Sequence, residues 1–177
     1  VTTFTVSGSA DLLGDAERAV QHQVAYDFRR YWPGGGIRFG PGGIPVIIES
    51  DAAIQRDCGG PAGGCHTIRI VNEQSQGPII YLNQRYSQNG DVSLILGHEI
   101  LETLDDPDVQ TGSTEHPNLL LEVCDPVVDS GYVINGMMVP DFITPAWFSD
   151  NASGPYDFMH ISNLKPQKVV GDGYLNG

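Results

Sequence analysis

The segment Leu94-Ile95-Leu96-Gly97-His98-Glu99-Ile100-Leu101-Glu102-Thr103-Leu104-Asp105-Asp106-Pro107 decides how this chain is read. With Val92 it is apolar on nearly every side of a helix, which predicts a helix buried almost all round. The exception is a polar stripe, His98, Glu102 and Asp105/Asp106, set one turn apart. Asp91, after the turn-like Asn89-Gly90, stands at the N-cap, where a carboxylate accepts free helix N–H groups. Pro107 ends the helix, because the residue before a proline is pushed out of the α region. Buried acids beside a histidine need neutralising, and a cation is the simplest agent. Pairing with Arg or backbone groups at a solvent-facing edge is the alternative.

His98-Glu99-Ile100-Leu101-Glu102 matches the zinc-protease signature His-Glu-x-x-His with one ligand changed. Residues four apart share one helical face, and the intervening Glu99 takes the general base's place. A carboxylate binds zinc as an imidazole does, so Glu102 keeps the geometry. It does not keep the charge: an anion in place of neutral His makes a bound metal a weaker Lewis acid. The motif raises a hydrolase without settling it.

The rest of the composition narrows the field. The chain has 177 residues, 40% hydrophobic and 18% charged, with Gly 22 and Pro 12, which predicts a loop-rich globular protein. Its net charge of −13 argues against nucleic acid or an anionic membrane as partner and favours divalent cations. No stretch is long and apolar enough to span a membrane, and no signal peptide is visible. The chain starts at Val1 without Met, so removal of an initiator, tag or leader is expected.

Cys58 and Cys65 bracket a Gly-rich loop and are expected either to close a short disulfide or to remain two free thiols. The disulfide would favour an extracellular or virion setting over the cytoplasm. Cys124 is expected as a small buried residue in a strand.

Outward from the motif, Thr2 to Val6 predicts a first strand. Leu12, Ala16, Ala19/Val20, Gln23/Val24, Phe28 and Tyr31 predict one amphipathic helix over Asp11 to Trp32. Strands are expected at Ile44–Glu49, His66–Val71 and Pro78–Asn83, with a polar turn over Asn72–Gly77. Asn118–Pro126 reads as a short strand, and Tyr132–Val139 as a hairpin turning at Asn135-Gly136. An aromatic stretch follows to Phe148, read as a satellite core under a long loop, and loop follows from Asn151 to Gly177.

This order resembles the zincin metallopeptidase fold, in which a strand beside the cleft holds substrate and the next helix carries the ligands. The blocks Gly97–Pro107, Glu122–Pro126 and Asn135–Phe148 are similar to a family found in bacteria and tailed phages, whose members share this order over roughly residues 40–175. That resemblance brings no established activity. It implies an α+β, zincin-like domain spanning 1–177: a mixed sheet with a long N-terminal helix and an active-site helix over 1–106, and an irregular C-terminal subdomain over 107–177.

His98 and Glu102 are the expected metal ligands, with a third from a later acid. Asp108 has the spacing of extended zinc-protease motifs but lacks their glycine, whose position Asp105 holds. Asp105 and Asp106 continue the stripe but adjoin Pro107. Glu122 and Asp125 follow the logic of a distant acid and are favoured. Zinc is the first expectation; one His with several carboxylates also suits calcium or manganese. In a peptidase Glu99 would take a proton from water and pass it to the leaving amine of a peptide or protein substrate. His66 is read as a strand-start histidine near the surface, or as a partner of the oxyanion. His22, His116 and His160 are read as solvated. Two non-enzymatic readings stand beside the peptidase. One is a virion decoration or tail protein packed against other virion proteins, partly through Phe142, Trp147 and Phe148. The other is a calcium-stabilised binding module.

Overall fold

The computed structural model describes residues 1–87, 91–115, 117 and 119–161. The Asn89-Gly90 turn, His116 and the loop beyond residue 161 lie outside them. The described part is α+β, built on a five-stranded mixed sheet. Its strands are β1 (Thr2–Ser7), β2 (Ile37–Phe39), β3 (Ile44–Glu49), β4 (Gly64–Val71) and β5 (Gln74–Asn83), in the order β2-β1-β3-β5-β4. β2, β1, β3 and β5 run parallel; β4 is antiparallel to β5 and forms an edge. The expected turn over Asn72–Gly77 contracts to Asn72 and Glu73, both with positive φ, because Gln74 to Gly77 extend the β5 ladder.

The helices are α1 (Leu13–His22), α2 (Asp51–Asp57), α3 (Gln84–Ser87) and α4 (Val92–Asp105). α2, α3 and β2 are too short to show a clear period and were not foreseen. The long N-terminal helix is not one regular α-helix. After α1 the chain widens into a π turn at Gln23–Asp27 and tightens into a 3-10 turn at Phe28–Arg30. The π turn coincides with Gln23, which is fully buried and donates through Nε2 to the Pro140 carbonyl at 2.6 Å. Leu12, expected on the apolar face, is exposed with φ 59, ahead of the first turn.

The core forms where Ala16, Ala19 and Val20 of α1, with Val24 of the π turn, meet Phe4, Val46, Ile80 and Leu82 of the sheet and Leu96, Ile100 and Leu101 of α4. Each buried aliphatic side chain of this kind contributes about 1.5–3 kcal/mol, which outweighs any propensity cost of Ile and Val in helices. α4 lies close to β7 (Met137–Pro140), the partner of β6 (Gly131–Ile134). A Cβ on Gly97 would sit 2.6 Å from Pro140 Cδ, so only glycine permits that approach. The hairpin turns at Asn135-Gly136 with φ 52 and 82, as its sequence predicts.

Three further expectations are corrected. Asn118–Pro126 is not a strand: its described residues make an isolated bridge at Leu120 and a 3-10 turn at Asp125–Val127, so Cys124 is buried but not in a sheet. The Asp91 carboxylate does not cap α4. Phe142, Trp147 and Phe148 are core residues, packed with Phe28 and Trp32, and offer no aromatic patch to an assembly partner.

Candidate metal centre

Three segments converge at the β4 edge of the sheet. α4 carries His98, Glu99 and Glu102; β4 carries Gly64 and His66; the irregular segment after α4 carries Glu122, Cys124 and Asp125. The 14-residue α4 ends at Asp105, and Asp106 before Pro107 leaves the helical region at φ −128, ψ 66. The Asp106 carboxylate then accepts from the backbone N–H of Gln110 at 2.8 Å and of Thr111 at 2.7 Å, fixing the turn that starts the chain's return. On that return the Cys124 N–H donates to Glu102 Oε1 at 3.1 Å, which orients the carboxylate.

Glu102 sits at the centre. Its Oε2 lies 3.2 Å from His98 Nε2 and 3.7 Å from His66 Nδ1. The same His98 Nε2 stands 3.2 Å from Asp125 Oδ1. One ring nitrogen carries at most one proton and cannot donate linear hydrogen bonds to two carboxylates, whereas one cation can bind all three. His66 Nε2 lies 3.0 Å from the Asp106 carbonyl, which only accepts, so Nε2 carries the proton. Donation of that N–H to a backbone carbonyl is how ligand histidines are commonly oriented. Nδ1 then faces Glu99 Oε2 at 3.6 Å and Glu102 Oε2 at 3.7 Å. Two groups bring three ligand atoms within 4.8 Å of one another: His66, Glu102 and Glu122, and His98, Glu102 and Cys124.

The electrostatics are those of a site short of positive charge. Four carboxylates meet two imidazoles, and among the described residues no Lys or Arg pairs with any of them. Burial alone would depress His66, but Glu99, Glu122 and Glu102 raise it to about 9. Burial likewise opposes protonation of His98, while Glu102 and Asp125 hold it well above the usual histidine range. Burial, then repulsion by Glu102, pushes Glu122 up to about 8, and burial raises Glu99. Burial works against ionised Glu102, but His98 prevails and lowers it. Glu122 Oε2 is buried without a hydrogen-bond partner. An orphaned carboxylate oxygen, an oriented imidazole and a shared acid fit a divalent cation. Cys124 fits less well, because burial holds its thiol well above the ordinary range.

Of the sequence candidates, His98, Glu99, Glu102, Glu122 and Asp125 come together here. Asp106 is spent on its turn, and exposed Asp108 accepts from Thr111 Oγ1 at 3.0 Å. Asp105 pairs with none of the cluster's histidines. His66 corrects the expectation of a surface histidine: it is 8% exposed and central. Its signal was its place near the start of the edge strand β4, which β5 and α3 separate from the motif helix, so sequence spacing alone does not tie it to Glu102. His22 and His160 are exposed, as expected.

Beside the centre runs a cleft of about 420 Å³, walled by Pro61 to Gly64, Leu94, Ile95, Val128 and Pro140, with His98, Glu99 and Asp125 at its floor. The Cys58–Cys65 disulfide, with Cα atoms 5.8 Å apart, closes the loop that forms one wall. Asn83 pins that loop, donating from its backbone to the Gly63 carbonyl at 2.8 Å and from Nδ2 to the Ala62 carbonyl at 3.1 Å. Comparison of the chain with protein-family models, with curated proteins and with solved structures gives no match.

Proposed function

We propose that this chain is a metal-dependent, zincin-like peptidase domain, with His98 and Glu102 as metal ligands and Glu99 as general base. The observation that carries it is the meeting of His98 Nε2 with Glu102 Oε2 and Asp125 Oδ1, each at 3.2 Å, beside an open cleft. Two ligands about 2.0–2.2 Å from a tetrahedral zinc stand roughly 3.3–3.6 Å apart, close to these separations. Asp125 is the third ligand of this reading on the His98 side, its carboxylate closing in on Glu102 when a cation binds. Unlike His98, Glu102 and Cys124, these three do not already bring their donor atoms within 4.8 Å of one another. A divalent cation bound there would polarise a substrate carbonyl and make water more acidic.

The chain's own residues do the rest. Glu99 is next to the first ligand in sequence, lines the cleft, and faces His66, while His98 faces Glu102 and Asp125. Burial raises its carboxyl, which brings it towards the range useful for accepting and returning a proton near neutral pH. Gly64 keeps its edge strand close: a Cβ there would lie 2.9 Å from Glu99 Oε1. The β4 edge gives an extended peptide backbone groups to pair with, and the apolar cleft wall suits an uncharged side chain. The disulfide is compatible with an oxidising location, and no described helix is long and apolar enough to cross a membrane.

The test is cleavage of an unbiased peptide library by wild type and Glu99→Gln across pH 6–10 with added zinc. The isosteric amide should keep metal and fold while lowering the rate by ~10²–10⁴-fold. Cleavage unchanged in Glu99→Gln would remove the general-base role. Metal bound without cleavage of any peptide would favour a structural module in which the cation is a staple.

A further inference from the structure

We propose that the cluster binds two divalent cations side by side, with Glu102 shared between them. The second position is made by His66, Glu102 and Glu122, beside the His98 position; the inference rests on the metal reading above. Three observations carry it.

The first is geometric. His66 Nδ1 stands 3.6 Å from Glu99 Oε2 and 3.7 Å from Glu102 Oε2. These are longer than the roughly 2.7–3.2 Å of a hydrogen bond. They are close to the roughly 3.3–3.7 Å between two ligands that each lie about 2.0–2.3 Å from one ion. The donor atoms are thus grouped but not bonded to one another.

The second is the state of the atoms. The Asp106 carbonyl accepts from His66 Nε2, so Nδ1, which faces Glu99 and Glu102, is the nitrogen that can exchange a proton for a cation. Glu122 Oε2 lies 3.7 Å from Nε2, beyond a hydrogen bond. Glu122 is 7% exposed, and its buried Oε2 has no hydrogen-bond partner. His66, Glu102 and Glu122 bring one ligand atom each within 4.8 Å of the others, a group that does not need His98.

The third is the donor count, since three protein ligands suffice for a divalent ion that keeps a place for water. The first position offers His98, Glu102 and Asp125, and the second His66, Glu102 and Glu122, so each has one nitrogen and two oxygen donors.

The experiment uses the full chain, stripped with chelator, reloaded with zinc, desalted and measured for zinc per chain by elemental analysis. Wild type should hold two equivalents. Glu122→Gln, which keeps shape and removes one anionic ligand, should hold one; His66→Ala should also hold one. His98→Ala should lose the other equivalent. One equivalent in wild type, unchanged in Glu122→Gln, overturns the second position and leaves the metal reading intact. Two equivalents retained in both Glu122→Gln and His66→Ala also overturn it. No zinc in wild type overturns both proposals.

Discussion

Glu102 shows what one residue decides in this protein. As the fifth residue of the motif it replaces an imidazole by an anion, and sequence alone reads that as a weakening of the metal. In the fold its two oxygens have different tasks. Oε1 accepts from the Cys124 N–H, while Oε2 faces His98 and His66. An imidazole has one lone pair to offer and could not serve both sides. The meeting of His66 with Glu102 was illegible for a related reason: it depends on the Asp106 carbonyl and on strand pairing, both products of tertiary structure. Gly64 makes the tightness of the site measurable. A Cβ there would meet Glu99 Oε1, Ile95 Cγ2 and the Tyr81 carbonyl, each at 2.9 Å, and the backbone carbonyl cannot easily yield. At neighbouring Gly63 the nearest atom is Ile95 Cδ1 at 3.5 Å, an ordinary contact. Gly64→Ala should therefore cost about 1–3 kcal/mol in denaturant unfolding, and Gly63→Ala less than about 0.5 kcal/mol. Equal effects at the two positions would contradict this packing.

At the scale of elements, periodicity predicted what is long and amphipathic and missed what is short. The motif helix, the central strands and the hairpin were legible because Leu96, Ile100 and Leu101, or Asn135-Gly136, repeat or turn at fixed offsets. The Asn118–Pro126 segment reads as a strand because its apolar run fits one. It is held instead by isolated contacts, Ser113 N–H to the Leu119 carbonyl at 2.9 Å and Ile143 N–H to the Val123 carbonyl at 2.7 Å. The segment after β7 is pinned by another buried acid. Asp141 Oδ1 accepts from the N–H groups of Phe142 at 2.8 Å and Met159 at 3.2 Å. Burial, offset in part by the Phe142 amide and reinforced by Asp157, raises Asp141 to about 7. The folded state therefore holds this proton more tightly than the unfolded chain, whose carboxyl titrates near 3.8. Its contribution is complete below the unfolded value and is lost as pH rises through about 7. Stability should fall by up to about 1.4 kcal/mol per pH unit across that window. Asp141→Asn keeps the acceptor and supplies a donor, so its thermal midpoint should vary less between pH 4 and 7 than that of wild type. Parallel pH profiles would show that Asp141 does not hold the proton.

Across the whole molecule, the fold serves to bring distant parts of the chain to one edge. The parallel strands and α1 bury the apolar face of α4 and leave its His98-Glu102 stripe turned towards β4 and the 119–125 return. The α+β class and the placement of the motif helix were readable from the order of elements. Glu102 and Glu122 were readable as candidate acids, but their meeting with His66 was not, because His66 and Glu122 lie 56 positions apart in sequence and meet only through the edge-strand pairing and the Asp106 turn. The net charge of −13 already pointed to cations, and the fold concentrates four of those acids where solvent screens them least.

The central claim, that His98 and Glu102 bind a divalent metal, is tested most directly by anomalous diffraction from crystals of the zinc-loaded protein, recorded on both sides of the zinc absorption edge. The account predicts a peak about 2.0–2.2 Å from His98 Nε2 and from a Glu102 carboxylate oxygen, absent in His98→Ala crystals grown alike. Crystals without a peak there, with His98 donating a direct hydrogen bond to Glu102 or Asp125, would contradict it.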